Sequence, residues 1–324
     1  MSNITLYKFS GAGNDFVVLD GRQGGMEAFR CTETITALCR EYRTDGLMIL
    51  GLADGYDFVM EFYNPDGSGG MMCGNGGRCI VAFADYLGLQ PASPDGIWNF
   101  LAPDGPHQAQ ILHRPGETAS GGTPFASLSP APPTVSCVPC GDLYPAGPSP
   151  YTCPGVDKSA GGCLPGPWTV KLKMIDVEGV KPMMGGYFLN TGTRHFVKFV
   201  PDIEGIDMEK DGPEIRWDDA FQPEGTNANF VQVRPDGLHV RTFEKGVEAE
   251  TLACGTGLTA SAIAAFVAGM PGADGQKNYH LQCRRGDWLQ VAFREKGGRF
   301  TDVYLTGPAE LILYSTTLPS LSKV

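Results

Sequence analysis

One stretch of the chain occurs twice. Residues 62–88 align without a gap with residues 243–269, at a constant offset of 181 positions. Both copies contain the pattern Cys-Gly-x-Gly, beginning at Cys73 in the first copy and at Cys254 in the second. The segment before each pattern has the β-branched and aromatic alternation of a strand. The repeat therefore predicts two similar halves, each running strand, loop, Cys-Gly-x-Gly and helix.

Each predicted helix is apolar on nearly all of its faces and is followed by a glycine, Gly88 in the first copy and Gly269 in the second. A helix without a polar face is buried on all sides. A glycine just past the last turn ends many helices, because it adopts the left-handed conformation without a steric cost. We therefore predict an α+β fold of two pseudo-symmetric domains, each a curved antiparallel sheet or barrel wrapped around one central helix.

A segment of unusual composition separates the two halves. Residues 119–167 contain eleven prolines and eight glycines but only three charged residues. Proline removes backbone donors and glycine raises the entropic cost of order, so neither helix nor strand is expected there. We predict an N-terminal half at 1–117, which includes a C-terminal strand at 308–324. A disordered insertion is predicted at 118–168 and a C-terminal half at 169–307.

The composition restricts the class of partner. The chain has 324 residues, of which 42% are apolar, and a formal net charge of -11. This apolar content is sufficient for a buried core. No cluster of lysine and arginine offers the basic patch that nucleic acid or an anionic membrane would need. The N-terminal residues lack the regions of a signal peptide. We therefore expect a small-molecule partner and a cytoplasmic location.

The ten cysteines are expected to be reduced, because the chain is long, has no signal peptide and spaces them irregularly. The one C-x2-C pair, Cys137 and Cys140, lies in the insertion, followed by Cys153 and Cys163 without a second matching pair. Structural zinc takes four ligands in paired spacing. Zinc in the insertion is therefore a minor alternative, and no metal site is predicted.

Each Cys-Gly-x-Gly pattern has a chemical consequence. A cysteine at a helix N-terminus lies beside unpaired backbone N–H groups and the positive end of the helix dipole, which favours the thiolate. We therefore expect the pKa values of Cys73 and Cys254 to fall toward neutral pH. The adjacent glycines let backbone N–H groups approach a bound anion closely, so each helix start is also a predicted carboxylate cradle.

Two such cysteines that face each other across one carbon atom would form a two-base catalyst. A thiolate on one side removes a proton, a thiol on the other side returns one, and the configuration inverts. The N–H groups would stabilise the negative charge that develops on the neighbouring carboxylate, each donor contributing about 10²-fold or more. The repeat thus predicts racemisation or epimerisation alpha to a carboxylate without a cofactor.

Four motifs in this order resemble the diaminopimelate epimerase family: FSGAGNDFVVLD, FYNPDGSGGMMCGNGGRC, GTNANFVQV and FEKGVEAETLACGTG. The resemblance covers nearly the whole chain except residues 119–167. It implies a PLP-independent isomerase that interconverts LL- and meso-2,6-diaminopimelate on the route to lysine and peptidoglycan. It also implies a homodimer.

The resemblance further implies roles for individual residues. Cys73 and Cys254 would exchange the roles of acid and base, while His195 and Glu244 would assist proton transfer. A substrate with a second amino-acid end also needs polar side chains at that end. The residues implied to cradle the reacting carboxylate are Gly74, Asn75, Gly255 and Thr256. The other residues implied to bind substrate are Asn14, Asn64, Thr193, Asn227 and Lys245.

Two of these residues also have purely structural interpretations. Asn64, in the sequence NPDG, is a common turn former. His195 could be a hydrogen-bonded histidine at the start of a strand.

Four positions depart from the common pattern of the family. Gly46 stands in place of a glutamine, and Thr193 and Arg194 stand in place of an asparagine and a proline. Lys245 stands in place of the arginine that follows the glutamate. Arginine makes a planar, two-pronged contact with a carboxylate, whereas lysine offers a point charge. A looser hold on the distal carboxylate is therefore expected.

Two other functions remain open. A racemase of another amino acid, such as proline or hydroxyproline, would leave Lys245 and Asn64 without a role, because such a substrate has no distal head group. A non-catalytic binding protein would use its cysteines only for packing or for sensing oxidants. Replacing Cys73 or Cys254 by alanine would abolish turnover only in an enzyme.

Overall fold

The computed structural model describes residues 4–70, 72–117, 164–272 and 277–315. Most of the predicted insertion, including its four cysteines, lies outside the described residues. Within the described part, sixteen strands form one continuous sheet and four α-helices pack against it. None of the described helices is long and apolar enough to cross a membrane.

The elements follow the order of the predicted repeat. Those up to residue 173 are β1 (Leu6–Gly11), β2 (Asn14–Asp20), α1 (Thr32–Tyr42), β3 (Gly46–Gly51), β4 (Phe58–Tyr63), α2 (Gly74–Tyr86), β5 (Ile97–Ala102), β6 (Gly105–His113) and β7 (Trp168–Lys173). Those that follow are β8 (Lys181–Met183), β9 (Gly186–Asn190), β10 (Arg194–Phe199), α3 (Met208–Arg216), β11 (Asn227–Arg234), β12 (Gly237–Glu244), β13 (Ala249–Thr251), α4 (Gly255–Val267), β14 (Asn278–Gln282), β15 (Trp288–Lys296) and β16 (Arg299–Ser315). Short 3-10 helices occur at Glu27–Arg30 and Asp219–Phe221.

The first half is a closed barrel. Strands β1 to β7 lie side by side in chain order, and β16 closes the barrel by pairing with both β7 and β1. In the second half, the order β16-β15-β14-β12-β11-β10-β9-β8 repeats the arrangement. The predicted pair of curved sheets, each around one helix, is confirmed. The sheets are mixed rather than purely antiparallel, because α1, α2, α3 and α4 each connect two parallel strands.

Strand β16 belongs to both halves. Its residues 299–306 pair with β15, and its residues 310–315 pair with β1. Strand β7 pairs with β6 and β16, so residues 169–173, predicted to begin the C-terminal half, hydrogen-bond within the first barrel. Residues 316–324 of the predicted C-terminal strand lie outside the described part. The domain boundaries as a whole stay a prediction.

Helices α2 and α4 fill the two sheets. Both have 13 residues, and their bounds preserve the offset of 181 positions. Both are buried over most of their length, as expected from their apolar composition. Gly88 and Gly269 have φ angles of 79° and 76°. The N–H of the residue after each glycine donates a hydrogen bond back to the helix, from Leu89 to the carbonyl oxygen of Ala84 and from Met270 to that of Ala265. These are the expected glycine helix ends.

One hydrophobic core runs through both sheets and includes the inward residues of α2 and α4. Aromatic rings surround α2, where Phe83 contacts Phe9 and Tyr7 at centroid distances of 5.6 and 4.9 Å. Each such buried side chain contributes roughly 1.5–3 kcal/mol. Two smaller clusters pack α1 and α3 against the outer faces of the sheets. The starts of α2 and α4 are thereby held in fixed positions.

Candidate active site

The starts of α2 and α4 meet where the two halves join. A Cβ atom on Gly255 would lie 3.7 Å from the Cα atom of Gly74 and 2.9 Å from Cδ2 of Leu305. The distance to Gly74 is an ordinary van der Waals contact, whereas the distance to Leu305 is too short for a side chain at position 255 unless a neighbour shifts. Cys73 and Cys254 are the residues immediately before the two helices. Their backbones thus flank the point of contact between the halves.

Cys73 is half-buried, and its sulfur accepts a hydrogen bond of 3.2 Å from the N–H of Gly76. Burial raises the pKa of the Cys73 thiol to about 11. The Gly76 N–H and the positive charge of Arg78 oppose this rise, while the nearby Glu244 carboxylate adds to it. Desolvation disfavours the charged thiolate more than these donors favour it.

Cys254 is more deeply buried, with 7% of its surface exposed, and its sulfur lies 3.4 Å from Oγ1 of Thr256. Burial raises the pKa of the Cys254 thiol, and the Glu244 carboxylate raises it further, whereas the contact with Thr256 lowers it. The expected fall of the cysteine pKa values is therefore wrong. The helix dipole does not compensate for the loss of hydration at a buried sulfur.

The half-buried carboxyl group of Glu244 lies near both cysteines. Burial raises the pKa of Glu244, whereas its interactions with Thr251 and Cys254 oppose the rise. The carboxylate of Asp45, an exposed residue, accepts a hydrogen bond of 2.8 Å from the N–H of Asp15, and its charge raises the pKa of Glu244 further. Glu244 is therefore a better proton acceptor than an exposed carboxylate.

His195 is fully buried at the start of β10. Its Nε2 lies 2.8 Å from Oγ1 of Thr193 and 3.0 Å from Oγ1 of Thr256. On the opposite side of the ring, its Nδ1 lies 3.1 Å from Nδ2 of Asn229. Burial lowers the pKa of His195 to about 3, so the ring is neutral near neutral pH. Through Thr256, this histidine is connected to Cys254.

In the first half, Asn75 connects three parts of the site. Its Nδ2 donates to Oδ1 of Asn14 and, at 3.4 Å, to the carbonyl oxygen of Ala253 in the other half. Its Oδ1 accepts a hydrogen bond of 2.8 Å from the guanidinium of Arg78. The Asn75 side chain is therefore fixed at the boundary between the halves.

Arg78 is completely buried on α2. Besides Asn75, its guanidinium donates to the carbonyl oxygens of Pro308, Gly74 and Gly11 at 3.2 to 3.3 Å. Burial lowers the pKa of Arg78, yet a guanidinium stays charged in proteins. The Arg78 guanidinium thus links α2 to β1 and β16. It also contacts Gly74 and Asn75, two of the residues predicted to cradle a carboxylate.

The remaining predicted binding residues differ in their surroundings. Asn227 donates to the carbonyl oxygen of Arg194 at 2.9 Å and accepts from the N–H of Lys245 at 2.7 Å. The Lys245 side chain is exposed. Asn64 donates to Oγ of Ser68 at 3.0 Å within its own turn. The structure therefore connects Asn227 to the network around His195, whereas the hydrogen bond of Asn64 belongs to a turn.

A model of one protein family matches both halves of the chain. It is described as Diaminopimelate epimerase and matches residues 6–93 and 187–312. The chain belongs to the diaminopimelate epimerase family. A diaminopimelate epimerase from Flavobacterium psychrophilum is 33% identical over 96% of this chain and 99% of the relative. One from Chlorobaculum tepidum is 32% identical over 95% of this chain and 98% of the relative.

The fold of this family member is also found in a solved structure. The Bacillus anthracis phenazine biosynthesis protein of the PhzF family superimposes with a TM-score of 0.62, covering 98% of this chain and 99% of that chain. The two sequences are 11% identical, so the likeness concerns the fold alone. The predicted fold class and the assignment to an isomerase family are both confirmed.

Two residues of the hydrogen-bond network at this site were missed from the sequence: Arg78 and Asn229. Asn229 follows Asn227 by two positions in a strand, and residues two apart face the same side of a sheet. That spacing was a usable signal. Arg78 could have been noticed as the one charged residue in the first turns of α2.

The described residues offer no metal site. No group of three or more histidine, cysteine, aspartate or glutamate side chains within residues 4–70, 72–117, 164–272 and 277–315 could hold a metal ion. The four cysteines of the zinc alternative lie outside these ranges.

Proposed function

We propose that this protein interconverts LL- and meso-2,6-diaminopimelate by proton transfer between two cysteines and the alpha carbon, without a cofactor. The observation that carries the proposal is the contact of Gly74 with Gly255, in a chain of the diaminopimelate epimerase family. The contact brings two Cys-Gly-x-Gly helix starts to one point. One carbon atom can therefore be approached from opposite sides by Cys73 and Cys254.

In the proposed reaction, one cysteine acts as thiolate and the other as thiol. The thiolate takes the alpha proton and becomes a thiol, and the electron pair passes into the substrate carboxylate. The other thiol delivers its proton to the opposite face of the carbon and becomes a thiolate. The two cysteines exchange states in each turnover, and either can begin the reaction. The residues proposed to hold the carboxylate are Gly74, Asn75, Gly255 and Thr256.

The elevated thiol pKa values make an initial proton acceptor necessary. Glu244 fits this role, because its carboxyl interacts with the Cys254 thiol and burial raises its pKa. A carboxyl with a raised pKa takes a thiol proton more readily than an exposed one. We propose that Glu244 accepts this proton, while His195 acts from the other side through Thr256.

The far end of the substrate is proposed to lie toward Lys245. Asn227 fixes the backbone of this residue, and Thr193 contributes a hydroxyl beside it. The exposed Lys245 ammonium would pair with the distal carboxylate. Asn14 and Asn64 are proposed to contact the substrate from the first half, with Asn64 leaving its hydrogen bond to Ser68.

Incubation with LL-diaminopimelate in heavy water tests the proposal. We expect meso product that carries deuterium at the inverted carbon. The variants Cys73→Ala and Cys254→Ala should lose turnover while Cys31→Ala retains it. Cys31 is a suitable control, because it also precedes a helix but is exposed. Absence of both isomer change and deuterium uptake would contradict the proposal, and inversion of proline instead would favour a proline-type racemase.

We further propose that the protein acts in the cytoplasm as a homodimer, in keeping with the role of its family in lysine biosynthesis. Light scattering combined with size-exclusion chromatography measures the mass directly. A mass of one chain across micromolar concentrations would contradict the dimer.

A further inference from the structure

Asn229 is a fully buried residue of β11 whose side chain uses both of its polar ends. Its Nδ2 donates to the carbonyl oxygen of Phe196 at 3.0 Å and contacts Nδ1 of His195 at 3.1 Å. Its Oδ1 accepts a hydrogen bond of 3.0 Å from Oγ1 of Thr242. A Cβ atom on Gly257 would lie 2.5 Å from this Oδ1, so the glycine leaves room for the amide.

These contacts determine where the proton of His195 lies. A backbone carbonyl oxygen only accepts hydrogen bonds, so the atom of Asn229 that faces Phe196 must be the amide nitrogen. The same nitrogen then points its second N–H at Nδ1 of His195. Nδ1 must accept this bond and carries no proton. A neutral imidazole has one N–H, which is therefore on Nε2.

The Nε2–H group faces two hydroxyls. Oγ1 of Thr193 and Oγ1 of Thr256 lie 2.8 and 3.0 Å from Nε2 and 3.2 Å from each other. Thr193 also accepts a hydrogen bond of 3.3 Å from Nδ2 of Asn227. A hydroxyl that accepts from the ring must direct its own proton elsewhere. Oγ1 of Thr193 already accepts from Asn227 and lies nearest the ring N–H, so the acceptor left for the Thr256 proton is the sulfur of Cys254, 3.4 Å from Oγ1 of Thr256.

We propose that Asn229 is a positioning residue that holds His195 in the Nε2–H tautomer and thereby makes the Thr256 hydroxyl a hydrogen-bond donor to the Cys254 sulfur. His195 then acts as a fixed donor and not as a carrier of the transferred proton. The donated hydrogen bond stabilises the Cys254 thiolate. The effect on turnover rests on the proposed function, whereas the tautomer and the reactivity of Cys254 do not.

The tautomer is measured first, on the unaltered protein labelled with ¹⁵N in its five histidines. Two-bond ¹H–¹⁵N correlation spectra at neutral pH distinguish a protonated ring nitrogen from an unprotonated one. The variant His195→Gln identifies the signals of His195 by their loss. We expect an unprotonated Nδ1 and a protonated Nε2. The opposite tautomer would overturn the proposal.

The consequence for Cys254 is measured by competitive alkylation with iodoacetamide at neutral pH. The modified peptides of Cys254 and Cys73 are quantified together, because Cys73 accepts its hydrogen bond from Gly76 and lies outside the chain of contacts. In Asn229→Asp, the new carboxylate can only accept a hydrogen bond from Nδ1, so it favours a protonated Nδ1 and the tautomer reverses. We expect the ratio of Cys254 to Cys73 modification to fall about tenfold, the scale of one lost hydrogen bond to a charged group.

The neutral variant Asn229→Leu separates the tautomer from the charge that aspartate adds. Leucine offers no donor to Nδ1, so the preference for the Nε2–H tautomer should disappear and the alkylation ratio should again fall. If the alkylation ratio falls in Asn229→Asp but not in Asn229→Leu, the effect comes from the added charge and the proposal is overturned. With LL-diaminopimelate, both variants should lose kcat with KM little changed, because the substrate contacts are intact. If the unaltered protein fails to turn over this substrate while tautomer and alkylation behave as expected, only the proposed function fails.

Discussion

Gly74 and Gly255 touch across the boundary between the two halves, with 3.7 Å between the Cα atom of Gly74 and the place where a Cβ atom of Gly255 would be. Each glycine is the first residue of a buried helix and follows one of the two paired cysteines. The distance between the helix ends therefore controls the space available to a substrate carbon. The packing of both helices in a shared core makes this distance a property of the whole fold.

Replacing Gly255 by alanine should displace the start of α4. The new Cβ atom would lie 2.9 Å from Cδ2 of the buried Leu305, so either Leu305 or the start of α4 must shift. We expect the free energy of unfolding to fall by about 1–3 kcal/mol. Misplacement of reacting groups by about 1 Å lowers kcat roughly 10²-fold. Gly166→Ala is the control, because no atom of the described residues lies within 4 Å of a Cβ atom there. Unchanged kcat in Gly255→Ala would contradict this interpretation.

His195 predicts a pH dependence of stability. Its pKa falls from 6.5 to about 3 on folding, because burial disfavours the imidazolium. Between these values the unfolded chain binds more protons at this site, so the stabilising contribution of the neutral ring is lost as the pH falls. In His195→Gln the slope of unfolding free energy against pH should decrease by up to about 1.4 kcal/mol per pH unit. Urea unfolding from pH 6.5 downward measures it, and an equal slope in His195→Gln and the unaltered protein would contradict the prediction.

Arg78 is predicted to be essential for stability. Replacing it by methionine leaves the carbonyl oxygens of Gly11, Gly74 and Pro308 and the Oδ1 of Asn75 without this donor. Each unsatisfied buried acceptor costs about 1–3 kcal/mol, so we expect a loss of several kcal/mol in chemical denaturation. Arg294→Met, at an arginine whose side chain is 84% exposed, should change stability little. Equal effects of the two substitutions would refute the role assigned to Arg78.

Alkylation of Cys73 should depend steeply on pH in the unliganded protein. Burial raises its pKa to about 11, and only the thiolate reacts. The rate constant should therefore increase about tenfold per pH unit from neutral pH up to this value. Mass spectrometry of the Cys73 peptide after timed exposure to iodoacetamide provides the measurement. A plateau near pH 8 would indicate instead that the helix N-terminus dominates over burial.

Much of this protein could be predicted from the sequence because the chain contains an internal repeat. The offset of 181 residues fixed which helix, which cysteine and which terminal glycine correspond, and the structure preserves that offset in the bounds of α2 and α4. The apolar character of both helices indicated a sheet around each. These properties depend on neighbouring residues along the chain, so a linear pattern records them.

The tertiary structure alone decided the electrostatics and the connections across the site. The helix start at Cys73 predicts a low thiol pKa, but burial raises it, and the Glu244 carboxylate of the second half raises it further. Asn229 reaches His195 from 34 positions away, and Asn75 reaches the carbonyl of Ala253 from 178 positions away. The sequence by itself determined two reactive helix starts. Their hydration, protonation and mutual distance depend on groups brought together only when both halves pack on the shared strand β16.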